Sequence, residues 1–178
     1  MTNEERVALV LRLGAKKAVI LDISQVVLNA SFRDICASNG CGQFGKCWVC
    51  PPYAGPIEEL MADLRKRQVV LWYQTIFDIE DSFDFEGMQE AKKQHIALCQ
   101  ALQAELRANG EADFLHLGAG GCGLCERCAC PESPCRFPDK AISSLEAYGV
   151  DVFSTTKNTP LHYINGADTV TYFGGVFF

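Results

Sequence analysis

Nine of the ten cysteines in this chain fall in two short stretches, and no other feature restricts it as strongly. The first stretch holds Cys36, Cys41, Cys47 and Cys50, written C-x4-C-x5-C-x2-C-P-P. The second holds Cys122, Cys125, Cys128, Cys130 and Cys135, written C-x2-C-x2-C-x-C-P-x3-C. Thiols packed this densely either pair as disulfides or bind metal, and the compartment and the size of the core decide between the two. A chain of 178 residues, 48% of them hydrophobic, can bury a core without covalent staples. Glu4 and Glu5 stand where a secretory signal would carry positive charge, and no apolar run approaches the roughly 18 residues of a membrane span. The expected protein is therefore soluble and cytoplasmic, with reduced thiols, and a disulfide framework is disfavoured.

The spacing narrows the metal. Cysteines at every third position, as in Cys122, Cys125 and Cys128, let one wrapping loop place three sulfurs on three corners of an iron-sulfur cubane. A fourth sulfur comes from farther along, as in the C-x2-C-x2-C-x3-C-P run of bacterial ferredoxins. Here the cysteine before proline, Cys130, comes two residues too early, so Cys135 is the better fourth ligand and Cys130 is spare or serves another cluster. Glycines at 40, 42, 45, 120, 121 and 123 permit the tight turns that aim backbone amides at sulfur. One or two [4Fe-4S] clusters are expected. The alternative is a structural zinc site built from Cys47-x2-Cys50 and Cys122-x2-Cys125, which needs four thiolates and leaves five clustered cysteines without a role. Cys99, alone on the apolar face of a helix, reads as a small buried hydrophobe and not a ligand.

Around the cysteines the pattern alternates. Helices are expected over residues 4–13, from Pro56 to Arg67, from Ser82 to Asn109 and from Asp139 to Tyr148. Strands are expected over 18–23, 68–79, 112–117 and 169–178, with Gly174-Gly175 marking a bulge or a close approach. The segment from Cys36 to Tyr53 reads as loop. The expected fold is α/β (α+β): one domain over residues 1–178, with a single sheet of about four or five strands packed with helices and the clusters carried on loops.

Other features exclude more than they assign. A net charge of −6 gives no footprint for nucleic acid. Gly118, Gly120 and Gly123 spell GxGxxG after a strand, but the last positions interleave with the cysteines and no helix is expected to follow, so a dinucleotide site is rejected. His116, just before that loop, either faces the second cysteine group or is satisfied by a backbone carbonyl. His95 and His162 have no acid or nucleophile motif around them. Arg33 and Arg136 flank the two groups, where a guanidinium offsets cluster charge or makes an ordinary surface ion pair. The acids between Asp78 and Glu86 suit the start of a helix.

Cys36, Cys41, Phe44-Gly45-Lys46 and Cys50-Pro51-Pro52 resemble a family of cysteine-rich predicted metal-binding proteins, the domain of unknown function 2284. The resemblance continues through Gly121-Cys122-Gly123-Leu124-Cys125-Glu126-Arg127-Cys128, Cys135-Arg136-Phe137-Pro138 and residues 144–151. It implies seven core thiolates, Cys36, Cys41, Cys50, Cys122, Cys125, Cys128 and Cys135, with Cys47 and Cys130 as additions. Seven is one short of two fully ligated cubanes, and Cys47 is available to close the gap. Three functions follow as expectations. The first is electron transfer beside a redox partner protein. The second is an enzyme whose three-cysteine cluster offers an open iron to a small-molecule substrate for reduction, desulfuration or dehydration. The third is a zinc-stabilised interaction module.

Overall fold

The computed structural model describes all residues, 1–178. Five helices, α1 (Asn3–Arg12), α2 (Phe32–Ala37), α3 (Ile57–Leu64), α4 (Phe85–Ala108) and α5 (Val152–Lys157), surround one sheet. Its strands are β1 (Lys17–Asp22), β2 (Val69–Asp78), β3 (Leu115–Gly118), β4 (Ser143–Ser144) and β5 (Thr169–Phe177), in the order β1-β2-β5-β3-β4. Only the β3–β4 pair is parallel; the other pairs are antiparallel. This is the expected α+β fold. No helix is long and apolar enough to cross a membrane.

Alternation along β2 divides the core. Leu71 and Tyr73 point to one face, where Leu9 and Val10 of α1 and Leu98, Cys99, Leu102 and Leu106 of α4 cover them. Val70 and Trp72 point to the other, into a second core with Leu64, Leu117, Leu145, Phe173 and Phe177. Both faces of the sheet are thus buried, which is why β2 reads as a near-continuous apolar run.

The paired glycines of β5 mark a close approach, as the sequence predicts. Gly174 stands opposite Tyr73 and Gly175 opposite Trp72. A Cβ on Gly174 would collide with the Tyr73 ring, and one on Gly175 would sit 2.9 Å from Phe177. Gly174→Ala should therefore cost about 3 kcal/mol, the upper range for overpacking, and lower the melting temperature by about 6–12 °C in a chain of this size. A thermal melt that matches the parent would contradict this packing.

Some expectations shift. The helix from Asp139 to Tyr148 is absent: Ser143 and Ser144 instead form β4, and only Glu146–Tyr148 makes a 3-10 turn before Gly149 at φ +75°. The reason is tertiary. Ser144 pairs with Gly118, and the Ser143 hydroxyl donates to the Val49 carbonyl at 2.6 Å, so the segment serves the sheet edge and the first cysteine loop. Cys36 lies on the short helix α2 and not in loop. The long helix begins at Phe85, with Asp84 as its cap accepting the Gly87 amide. No helix follows Gly123, so the glycine loop offers no helix terminus to a pyrophosphate.

Candidate metal centre

The second cysteine stretch begins where β3 ends. Gly118 closes the strand, Gly120 and Gly123 take left-handed conformations (φ +71° and +68°), and the chain then runs without regular structure to β4. One face of α4 holds this loop. Ile96 packs at Gly123, and the Cys99 sulfur would lie 3.6 Å from a Cβ on Gly118. Farther along, Gln100 donates to the Lys140 carbonyl, while Gln103 and Arg107 both donate to that of Asp139. Positions 96, 99, 100, 103 and 107 share a helical stripe, so the loop is fixed at both ends by one rigid element. The periodicity was visible in the sequence; the anchoring role of the two glutamines was not, because nothing local marks a side chain that will satisfy a distant carbonyl.

The first stretch folds back onto the second. Cys50 donates its amide to the Cys47 carbonyl and Gly45 to that of Pro51, closing a tight loop. The Trp48 indole donates to the Ser133 carbonyl at 2.9 Å, reaching across to the second stretch. The outcome is one cavity of about 580 Å³ lined by Cys41, Cys47, Cys122, Cys125, Cys128, Cys130 and Cys135. All ten cysteines are free thiols. Cys36 and Cys50 lie outside the cavity lining, Cys50 buried directly behind Cys47 and Cys36 half-buried on α2.

Cys47 is the joint between the stretches. Cys50 beside it, then the Val49 and Cys122 amides and the Cys128 thiol, pull Cys47 toward the thiolate against the opposing effect of burial. The same contact pushes Cys50 up, aided by burial and by Cys47, Cys41 and Cys36 nearby. Burial also raises Cys122 and Cys130. Cys36 is raised by burial, with Arg33 opposing and Cys41 and Glu146 adding. Backbone amides close to a ligand sulfur tune the centre it holds.

Across the cavity's seven thiols the donors ring a space. No three Cys, His, Asp or Glu side chains meet at the spacing that one metal ion needs. The thiols of the alternative zinc set, Cys47, Cys50, Cys122 and Cys125, do not form such a group either.

The flanking residues sort differently from the sequence reading. Arg33 donates to the Ala147 carbonyl and leaves its Nε buried without a partner, while Arg136 donates to the Arg127 carbonyl within the second stretch. His116 faces neither the cysteine cavity nor a carbonyl: its Nε2 lies 2.7 Å from the Tyr73 hydroxyl, and its Nδ1 has no partner. Tyr73 also meets Cys99 at 3.0 Å, and His95 lies 3.5 Å from Cys99 and 2.8 Å from Thr75. Cys99, fully buried in this network, is pushed up to about 12 by burial and is an inert thiol, as its place on the apolar helix face predicts.

No curated protein and no solved structure matches this chain. Residues 19–178, which include both cysteine stretches and every strand but the start of β1, match the sequence profile of the family described as predicted metal-binding protein, the domain of unknown function 2284, and the chain belongs to that family.

Proposed function

We propose that the cysteine-lined cavity holds a [4Fe-4S] cluster and that the protein carries electrons between a redox partner and its target in the cytoplasm. One observation supports this above the others: seven thiols drawn from both stretches line one cavity of about 580 Å³, more than the four that a zinc ion takes. A single zinc ion draws four sulfurs to about 2.3 Å from one centre. A cubane is a larger body whose ligands attach at separate corners around it. Cys122, Cys125, Cys128 and Cys135 come from one loop, and Cys47 enters from the other. The bound cluster would supply one-electron redox chemistry; the chain supplies the sulfurs, the Val49 and Cys122 amides and the walls that limit water.

A second reading, an enzyme with an open iron, draws on the position of Cys47. It lies beside Cys122 and Cys128 of the second stretch as well as Cys50 of its own, and if it serves the second stretch, Cys36, Cys41 and Cys50 are left as a group of three. A second cluster on those three thiolates would have one iron without a protein ligand, open to a small molecule.

Iron, zinc and acid-labile sulfide should be measured on protein purified without oxygen. Iron and sulfide in near-equal amounts, with broad visible absorption that bleaches on reduction, are the expected result. Stoichiometric zinc with no sulfide would end both cluster readings.

A further inference from the structure

We infer that Lys92 is the scaffold cation that sets the charge of the thiol-lined cavity, holding a negatively charged iron-sulfur centre and raising its reduction potential. The inference rests on the cluster reading above. Lys92 lies one turn before Ile96 on the face of α4 that seats the cysteine loop. A Cβ on Gly120 would come 2.9 Å from the Lys92 ammonium and 3.2 Å from its Cε, so the side chain lies directly across that glycine's α-carbon, in the cavity wall. Any larger residue at 120 would push the ammonium away.

Lys92 has no counter-ion. The lysine ion pairs are Lys66 with Asp63 and Lys93 with Glu90, both on exposed surface. Lys93, its immediate neighbour, thus turns outward to a carboxylate, while half-buried Lys92 lines the cysteine cavity. An unpaired ammonium taken partly out of water costs free energy unless opposite charge meets it. The cavity's two carboxylates, Glu126 and Glu132, are exposed on the second cysteine stretch, where water and salt screen them, and neither pairs with Lys92, so the opposite charge left in this wall is thiolate and whatever the thiolates hold. Lys46 and Arg127 also line the cavity, but both are exposed and sit on the cysteine loops themselves, where water and salt screen them. Only Lys92 is delivered by a long rigid helix.

The direction of the effect follows from charge. A cluster bound by thiolates is anionic, and reduction adds one more negative charge. A fixed cation beside it stabilises the reduced form more than the oxidised one, which moves the potential up.

The test compares Lys92→Gln and Lys92→Arg with the parent protein, each purified without oxygen, for iron and sulfide content and for midpoint potential by mediated titration. Lys92→Gln should keep the cluster and lose about tenfold in the equilibrium constant for reduction, a shift of about 59 mV toward negative potential for one electron. Lys92→Arg should stay near the parent value. Should Lys92→Gln fold, by circular dichroism, but fail to hold the cluster that Lys92→Arg retains, the charge role stands as well. A Lys92→Gln cluster at the parent potential overturns the inference, and so does loss of the cluster from both variants, which would mean that shape and not charge matters. Absence of iron and sulfide from the parent protein overturns the cluster reading itself, before any variant is compared.

Discussion

Replacing Cys47 with alanine is expected to remove the metal while leaving the sheet folded. Cys47 is only 4% exposed and lies beside Cys50, Val49, Cys122 and Cys128, so it is a residue through which the two cysteine stretches meet. Alanine keeps the backbone loop closed by the Cys50 and Gly45 amides but takes the acceptor away. The void it leaves is small, on the order of 1 kcal/mol by the usual cost of deleting a buried group. Metal retention should fall at least tenfold, since even residues that only orient a ligand cost 10–100-fold when lost. The control is Cys99→Ala: that thiol is equally buried but lies in the core with Tyr73 and His95, so its loss should cost stability and no metal. A Cys47→Ala protein with parental iron and sulfide would show that the first stretch does not reach the centre, and would return Cys47 to the status of an addition.

The sequence carried the frame of the fold because its longest elements are marked by period. β2 is a ten-residue apolar run and α4 repeats its apolar positions for 24 residues, and neither competes with another interpretation. What spacing could not show is that the stretches share one cavity. C-x2-C patterns report which sulfurs are neighbours along the chain, whereas Cys47 meets Cys122 only because Trp48 reaches Ser133 and Ser143 reaches Val49, contacts 85 and 94 residues apart in sequence. The same limit explains the helix expected over 139–148. Its residues have tolerable helix propensity, but the sheet edge and the Val49 carbonyl claim Ser143 and Ser144, and tertiary bonds outweigh weak local preference. Lys92 is not legible in the sequence for a related reason: on a helix rich in charge, nothing local separates it from Lys93, and only the packing of Gly120 does.

Those residues also separate the molecule into two physical regimes. The cysteine cavity is built by loops whose shape is imposed from outside, by the α4 stripe and by β4. The core beneath it contains buried polar groups: His95, His116, Tyr73, Thr75 and Cys99 form one connected network between α4 and the sheet. A buried imidazole is stable only while neutral.

Stability should consequently fall steeply as the solution becomes mildly acidic, well before carboxylates protonate. Burial holds His95 down at about 4 and His116 down at about 3, against an ordinary value of 6.5. Below about pH 6.5 the unfolded chain takes up protons that the folded chain refuses, so the stabilisation is complete above that value and is lost progressively as pH drops toward the folded values. Two such groups give a slope approaching about 2.7 kcal/mol per pH unit, and about 2–3 kcal/mol in all between pH 7.5 and 5.5. That is a large part of a typical stability of about 5–15 kcal/mol. The geometry agrees with the direction: Thr75, Tyr73, Cys99 and the ring of Tyr172 face the two rings with no carboxylate among them, His95 and Arg107 repel a charge on His116, only the Phe173 backbone favours a charged His95, and protonating His116 would place a charge at an Nδ1 that has no partner. Glu146, raised by burial, acts in the opposite sense, as one group against two. Urea midpoints at pH 7.5, 6.5 and 5.5 measure the slope, and His116→Gln should remove about half of it whatever it costs at pH 7.5. If the midpoint stays level across that range, the two histidines must be finding a charge partner or water on protonation, and the closed polar network between α4 and the sheet would have to open.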